Sequence, residues 1–181
     1  MTATETEPIT IQPITQAEIG SAICAATEEV FSVMLGIDVT AGEAQTGTAG
    51  QDHAGVVAVL GLTGEWGGAG QVSCDSALAL EIAAKLLMSE YAEVDEDVLD
   101  AIAEVANMIV GNVKNGVEKH LGPMGMSAPA VFFGGDFETR VVGRPNMVLV
   151  PFTCASGGIT VQIAIAPMAR TRLRNRAVKP E

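Results

Sequence analysis

The residues whose types and spacing could carry chemistry lie on one predicted helix. Residues 97–119 read DVLDAIAEVANMIVGNVKNGVEK, with apolar residues repeating at helical spacing. At about 100° per residue, Asp100, Glu104 and Asn107 fall in one narrow stripe opposite the apolar face. Glu104 and Asn107 are three positions apart, which places their Cβ atoms about 5–6 Å from each other. Two carboxylates and a carboxamide are therefore presented together.

A polar stripe of this kind is typical of a solvated helix face, but two features favour binding. Asn107 is a poor residue for a helix interior, and Gly111, one turn later, costs up to about 1 kcal/mol relative to alanine. A glycine at this position removes a side chain and lets another surface approach. Met108 and Val110 flank the stripe and could form an apolar rim that grips a partner, and Lys114 continues the polar face.

The remaining sequence predicts the elements that position this helix. A capping box at Thr15 and Glu18 starts a helix that ends at Gly36. A second helix is predicted at 77–88, capped by Asp75 or Ser76, and a third at 95–120, with loops at 44–53 and 122–129. Strands are predicted at 9–14, 37–43, 55–63, 69–74, 129–134, 137–143, 146–153 and 158–166, with a turn at Gly134–Gly135. This order predicts an α+β fold with helices packed on one face of a mostly antiparallel sheet.

The glycine-rich stretch 61–70 has the composition of a phosphate-binding loop but lacks its context. Such a loop leads from a strand directly into a helix, whereas here a second strand follows and no GK[ST] motif is present. We therefore predict a β-hairpin, with Trp66 as a packed or half-exposed residue of its turn.

Composition and charge limit the class of protein. The 181 residues are 48% hydrophobic, which excludes a disordered chain. The net charge is −12, and residues 1–169 alone carry −16, which argues against a nucleic-acid partner. We predict a leader at 1–8, one domain at 9–168 and a basic tail at 169–181. The tail is interpreted as a solvated terminus, with a phosphate or anionic-lipid contact as the alternative.

Other reactive side chains show no catalytic or metal-binding pattern. Cys24, Cys74 and Cys154 are few and widely spaced, which indicates reduced thiols in the cytoplasm. His53 and His120 are isolated, so we expect structural roles and no metal site. The first residues lack a signal peptide, and no apolar run is long enough to span a bilayer, so no membrane partner is expected.

A faint internal repeat links the first and third helices. Glu29-x-x-Ser32 and Glu104-x-x-Asn107 are each followed by three apolar residues and a glycine. Two amphipathic helices can agree this far by chance, so both a duplication and a coincidence remain open.

The stripe also resembles a known signature. Asp100-x-x-x-Glu104-x-x-Asn107, continuing through Gly111 to Lys114, is similar to the motif of the CheC/CheX/FliY phosphatases of bacterial chemotaxis. With one intact ExxN, it looks most like the CheX branch. The resemblance covers roughly residues 15–168 and is strongest in the long helix.

The resemblance implies an activity: hydrolysis of the aspartyl phosphate of a CheY-type response regulator. It implies that Asn107 orients the attacking water, that Glu104 pairs with the regulator's active-site lysine, and that Asp100 supports docking. Met108, Gly111 and Lys114 are expected at the partner-binding surface. An acyl phosphate is already activated, so positioning and charge neutralisation are the main requirements, and a neutral amide does not repel the phosphoryl group. The Mg²⁺ is expected in the regulator, with no cofactor in this chain.

The resemblance further implies pseudo-two-fold halves and a homodimer joined through edge strands, with the apolar strands near 146–166 as compatible edges. Some residues depart from the family pattern: Ser32 and Ala25 stand where members with two sites have Asn and Asp, and Pro129 lies slightly closer to Asn107 than is usual. A second active site is therefore not expected. The alternatives are a CheX-like adaptor without turnover and a structural domain similar to those of the flagellar switch, and the intact Asn107 favours the enzyme over the structural domain.

Overall fold

The computed structural model describes residues 14–47, 51–139 and 145–168. The helices in these ranges are α1 (Gln16–Glu29), α2 (Ser76–Leu87) and α3 (Glu96–Leu121), and a π-helical segment (Val30–Leu35) extends α1. The strands are β1 (Thr40–Ala41), β2 (Gln45–Thr46), β3 (Gln51–Gly64), β4 (Trp66–Cys74), β5 (Met124–Met126), β6 (Ala130–Thr139), β7 (Asn146–Cys154) and β8 (Gly157–Pro167). The predicted leader and basic tail, and residues 9–13 of the first predicted strand, lie outside the described residues.

Helix α1 begins at the predicted capping box. Thr15 Oγ1 accepts a hydrogen bond from the Glu18 amide at 3.2 Å, and Glu18 Oε2 accepts one from the Thr15 amide at 2.8 Å. These bonds satisfy backbone donors that a helix N-terminus otherwise leaves free. The predicted end of the helix is confirmed too, because the π-helical segment stops at Gly36, whose φ of 63° favours glycine.

Helix α3 is long and amphipathic, as its sequence predicts. Asp95 Oδ1 caps it by accepting a hydrogen bond from the Val98 amide at 3.0 Å. Acidic residues occupy its first turn, and Lys119 and His120 lie in its last, which is the favourable arrangement for the helix dipole. The apolar side of the helix is buried in the core, and it consists of Val98, Ile102, Val105, Ile109 and Val113. The opposite side, which carries the stripe, therefore faces away from the core.

The sheet is antiparallel at every described pairing. Its strand order is β1-β7-β8-β4-β3-β5, while β2 also pairs with β7 and β6 also pairs with β3. One cluster of buried apolar residues from the three helices and the sheet forms the core of the described chain. The predicted α+β class is confirmed, whereas the pseudo-two-fold relation between halves stays a prediction. No helix in the described ranges combines the length and apolar character needed to cross a membrane.

The glycine-rich stretch forms the predicted hairpin between β3 and β4, with Leu62 paired to Gly68. Gly70 in β4 lies directly under α3, since a Cβ built there would be 2.5 Å from Val110 Cγ1. Glycine at this position therefore lets the helix that carries the stripe approach the sheet closely. Trp66 is half-buried against the core, as expected.

Several strand boundaries differ from the predictions, because pairing with neighbouring strands makes a strand longer or shorter than its local sequence indicates. The strand predicted at 37–43 is reduced to β1, the predicted loop 44–53 contains β2 and the start of β3, and the predicted loop 122–129 contains β5. The two strands predicted at 129–134 and 137–143 form one strand, β6, up to Thr139. Gly134–Gly135 is no turn, because β6 continues along β3 and a register shift between His53 and Gly55 absorbs the irregularity.

The strands proposed as dimer edges are internal to the sheet. Strand β8 lies between β7 and β4, and the other side of β7 pairs with β1 and β2. Short segments after α1 therefore occupy the edge that the sequence suggested near 146–166, which corrects that assignment.

Candidate functional site on helix α3

The three polar residues at the start of the stripe lie on successive turns of α3. Asp100 and Glu104 are exposed, and Asn107 is half-buried between them and the C-terminal half of the helix. Within the described part of the chain none of these three side chains makes a hydrogen bond or an ion pair. Their carboxylate and carboxamide groups are therefore available to a partner.

The apolar flanks of the stripe are not equivalent. Met108 is half-buried and packs against the core, with part of its side chain accessible beside the stripe. Val110 is fully buried where Gly70 makes room for it on the sheet. Of the expected apolar rim, only Met108 is accessible beside the stripe. The prediction that Val110 forms the other side of the rim is wrong, because close packing on β4 buries that residue.

Gly111 is approached by another segment of the same chain, and the approach of a partner's surface there stays a prediction. A Cβ built at Gly111 would lie 3.6 Å from Met126 Cε, an ordinary van der Waals contact. Met126 is the last residue of β5 and is half-buried. Sequence reasoning missed it because the segment around it was predicted as a loop, and its apolar character was the available signal.

Lys114 is engaged inside the chain. Its Nζ donates to Glu118 Oε1 at 2.7 Å, and the same oxygen accepts the Met124 amide at 2.8 Å. The hydrogen bond from Lys114 lowers the pKa of the Glu118 carboxyl, and the bond from the Met124 amide lowers it further. The C-terminal half of the stripe thus anchors β5, and a direct contact between Lys114 and a partner stays a prediction.

The residues that the internal repeat singles out make local contacts. Glu29 Oε2 accepts a long hydrogen bond from Asn112 Nδ2 on α3 at 3.5 Å, and Ser32 Oγ donates to the Glu29 carbonyl oxygen at 3.4 Å. Ser32 lies in the π-helical segment, whereas Asn107 lies in regular α-helix. The geometry of the two helices therefore differs where the repeat would place a second site.

The isolated cysteines and His120 do not join the stripe. Burial raises the pKa of the Cys74 thiol to about 12, so this group is inert at neutral pH. Cys24 and Cys154 are free and half-buried, and His120 occupies the last turn of α3. Among the described residues, no group of three or more His, Cys, Asp or Glu side chains is arranged to hold a metal ion.

The fold and the stripe define a class of protein: an α+β domain in which one helix presents Glu104 and Asn107, neither of which has a hydrogen-bond partner in the described part of the chain. Residues 56–153 match the family model of the chemotaxis phosphatase CheX. The CheY-P phosphatase CheX of Thermotoga maritima is 30% identical over 129 residues, which cover 70% of this chain and 83% of that protein. The chain therefore belongs to the CheX family of chemotaxis phosphatases. The family resemblance and the class of enzyme predicted from the sequence are thereby confirmed.

Solved structures share the architecture. A putative chemotaxis protein from Desulfovibrio vulgaris Hildenborough is 27% identical, with a TM-score of 0.76 over 82% of this chain and 97% of that one. The CheX of Borrelia burgdorferi, solved in a complex with CheY, BeF3 and Mg²⁺, is 24% identical, with a TM-score of 0.68 over 81% and 97% of the two chains. Both likenesses support the fold described above.

Proposed function

We propose that this chain hydrolyses the aspartyl phosphate of a CheY-type response regulator, with Asn107 and Glu104 as its catalytic residues. The observation that carries the proposal is the pair itself, unpaired within the described chain and presented on α3. The Thermotoga maritima relative described as a CheY-P phosphatase, and the complex of the Borrelia burgdorferi CheX with CheY, support the choice of partner.

The proposed chemistry needs little more than positioning. A water oxygen attacks phosphorus, the bond between phosphorus and the aspartate oxygen breaks, and the products are inorganic phosphate and the free carboxylate. The Asn107 carboxamide can accept from and donate to that water at the same time, which fixes its direction of attack. Being neutral, it does not repel the phosphoryl oxygens. The Mg²⁺ that neutralises the phosphoryl charge is proposed to belong to the regulator.

The carboxylates of the stripe are proposed to dock the regulator. Glu104 lies one turn before Asn107 and is exposed, so it can pair with a lysine beside the regulator's phosphoryl group. Asp100, a further turn away, adds negative charge that favours the approach of a cationic surface. Both carboxylates therefore attract the rim of the regulator's site, while the neutral amide enters it.

The proposal is tested by measuring phosphate release from purified CheY-type regulators of the same genome, each charged with acetyl phosphate. We expect this chain to accelerate release from at least one regulator above that regulator's own rate. Binding of a phosphorylated regulator without acceleration would indicate the adaptor instead. Neither binding nor acceleration with any regulator would indicate a structural domain.

We also propose that the chain acts in the cytoplasm. We propose further that it forms a homodimer in which the two copies pair along β6. Among the described strands, β6 pairs only with β3, and its Phe133 is 52% exposed. A strand edge with which no other described strand pairs, carrying an exposed apolar side chain, favours pairing with a second copy.

Light scattering should give a mass twice the 18.6 kDa of one chain. The Phe133→Glu variant should shift the mass towards the monomer, because it adds a charge at the proposed joint. Met88→Glu is the matched control, since Met88 is 90% exposed and follows the last residue of α2, outside β6. Dimerisation that survives Phe133→Glu would rule out this edge.

A further inference from the structure

Strand β5 is fixed to α3 by one carboxylate oxygen. Glu118 Oε1 accepts both the Met124 amide at 2.8 Å and the Lys114 ammonium at 2.7 Å. On its other side β5 pairs with the end of β3, where Gly64 faces Met124 and Leu62 faces Met126. Met124 is buried, so the strand has little freedom to move away from the helix.

This anchoring determines what lies over Gly111, one turn after Asn107. Side chains on a helix lean towards its N-terminus. The backbone around Asn107 would therefore be covered by the side chain of the residue one turn later. That residue is Gly111, which has no side chain to cover it. Met126 Cε lies 3.6 Å from the position of the missing Cβ and takes its place. An apolar side chain from a different element therefore lies over Gly111, one turn after Asn107.

We infer that Met126 is a further partner-contacting residue, and that Glu118 is a positioning residue that holds it over the helical turn after Asn107 through the Met124 amide. The inference rests on the proposed function. A partner that brings a phosphoryl group to Asn107 must also cover Met126, because standard interfaces bury about 800 Å² per partner and one helical turn rises only about 5.4 Å. Methionine is enriched in interfaces and adapts to irregular surfaces.

The anchoring is tested on this chain alone by amide hydrogen exchange. In Glu118→Ala, the amide of Met124 should exchange faster, while the amides in the middle of α3 stay protected. Glu118→Gln keeps an acceptor oxygen for the Met124 amide and should restore the slow exchange. Unchanged exchange in Glu118→Ala would overturn the positioning role of Glu118.

The contact is tested by the kinetics of regulator dephosphorylation. Met126→Ala and Glu118→Ala should each raise KM for the phosphorylated regulator about fivefold to tenfold with a smaller change in kcat, as for a moderate interface contact. The double variant should resemble either single variant, because both substitutions remove the same contact. Glu118→Gln should recover the KM of the unsubstituted chain.

Met88→Ala controls for loss of an exposed methionine, since Met88 lies at the end of α2. An unchanged KM in Met126→Ala, or additive effects in the double variant, would overturn the inference while the proposed function stands. Failure of the unsubstituted chain to bind or dephosphorylate any regulator would overturn both, and the exchange result would then describe only the fold.

Discussion

Asn107→Ala should lower kcat for dephosphorylation of the regulator by about 10²-fold or more, the cost of losing one well-placed polar group from an active site. The carboxamide is the only neutral group of the stripe that can both donate to and accept from the attacking water. KM should change little, because Glu104 and Asp100 still dock the partner. The measurement is phosphate release at saturating regulator.

The fold should tolerate this substitution. Asn107 makes no hydrogen bond within the described chain, and alanine is the better helix former, so the free energy of unfolding should stay within about 0.5 kcal/mol or rise slightly. Asn115→Ala is the matched control, since Asn115 is an exposed asparagine on the same helix. Equal kcat in Asn107→Ala and Asn115→Ala would contradict the role proposed for Asn107.

Glu104→Lys should raise KM for the phosphorylated regulator by about 10²-fold, corresponding to about 2.7 kcal/mol, because it replaces an attractive charge pair with a repulsive one. The affinity for a beryllofluoride-loaded regulator should fall in parallel. Added salt should reduce the difference between the variant and the unsubstituted chain, since part of the interaction is screened. Titration of the loaded regulator at two salt concentrations measures both effects.

Glu90→Lys separates specific pairing from the change in overall charge. Glu90 is exposed and precedes α3, so its reversal changes the net charge equally without touching the stripe. We expect it to change KM by less than about threefold, as for a charge at the edge of an interface. The same loss in Glu90→Lys as in Glu104→Lys would show that only the net charge matters.

The helices were predicted closely because their signals are local. The capping box at Thr15 and Glu18, the glycine at Gly36 and the apolar repeat of α3 each depend on residues within a few positions of one another. The polar stripe followed from the same periodicity, together with the family resemblance that it carries. No tertiary contact is needed to place Asp100, Glu104 and Asn107 on one side of a helix.

The strands were predicted less well because their limits depend on partners far along the chain. Strand β6 runs through Gly134–Gly135, a local turn signal, because β3 supplies hydrogen bonds along its length. Strand β5 forms in a segment with a loop-like composition because the end of β3 and Glu118 hold it. Pairing between distant segments overrides the weak preferences of short stretches.

The sequence by itself determined the amphipathic helix, the placement of Glu104 and Asn107 opposite its apolar face, and the family to which the chain belongs. Only the tertiary structure decided which members of the stripe remain available. It buried Val110 over Gly70, paired Lys114 with Glu118 and brought Met126 over Gly111. The physical reason is that periodicity fixes the direction of a side chain about its helix, whereas what that side chain meets depends on segments that only folding brings together.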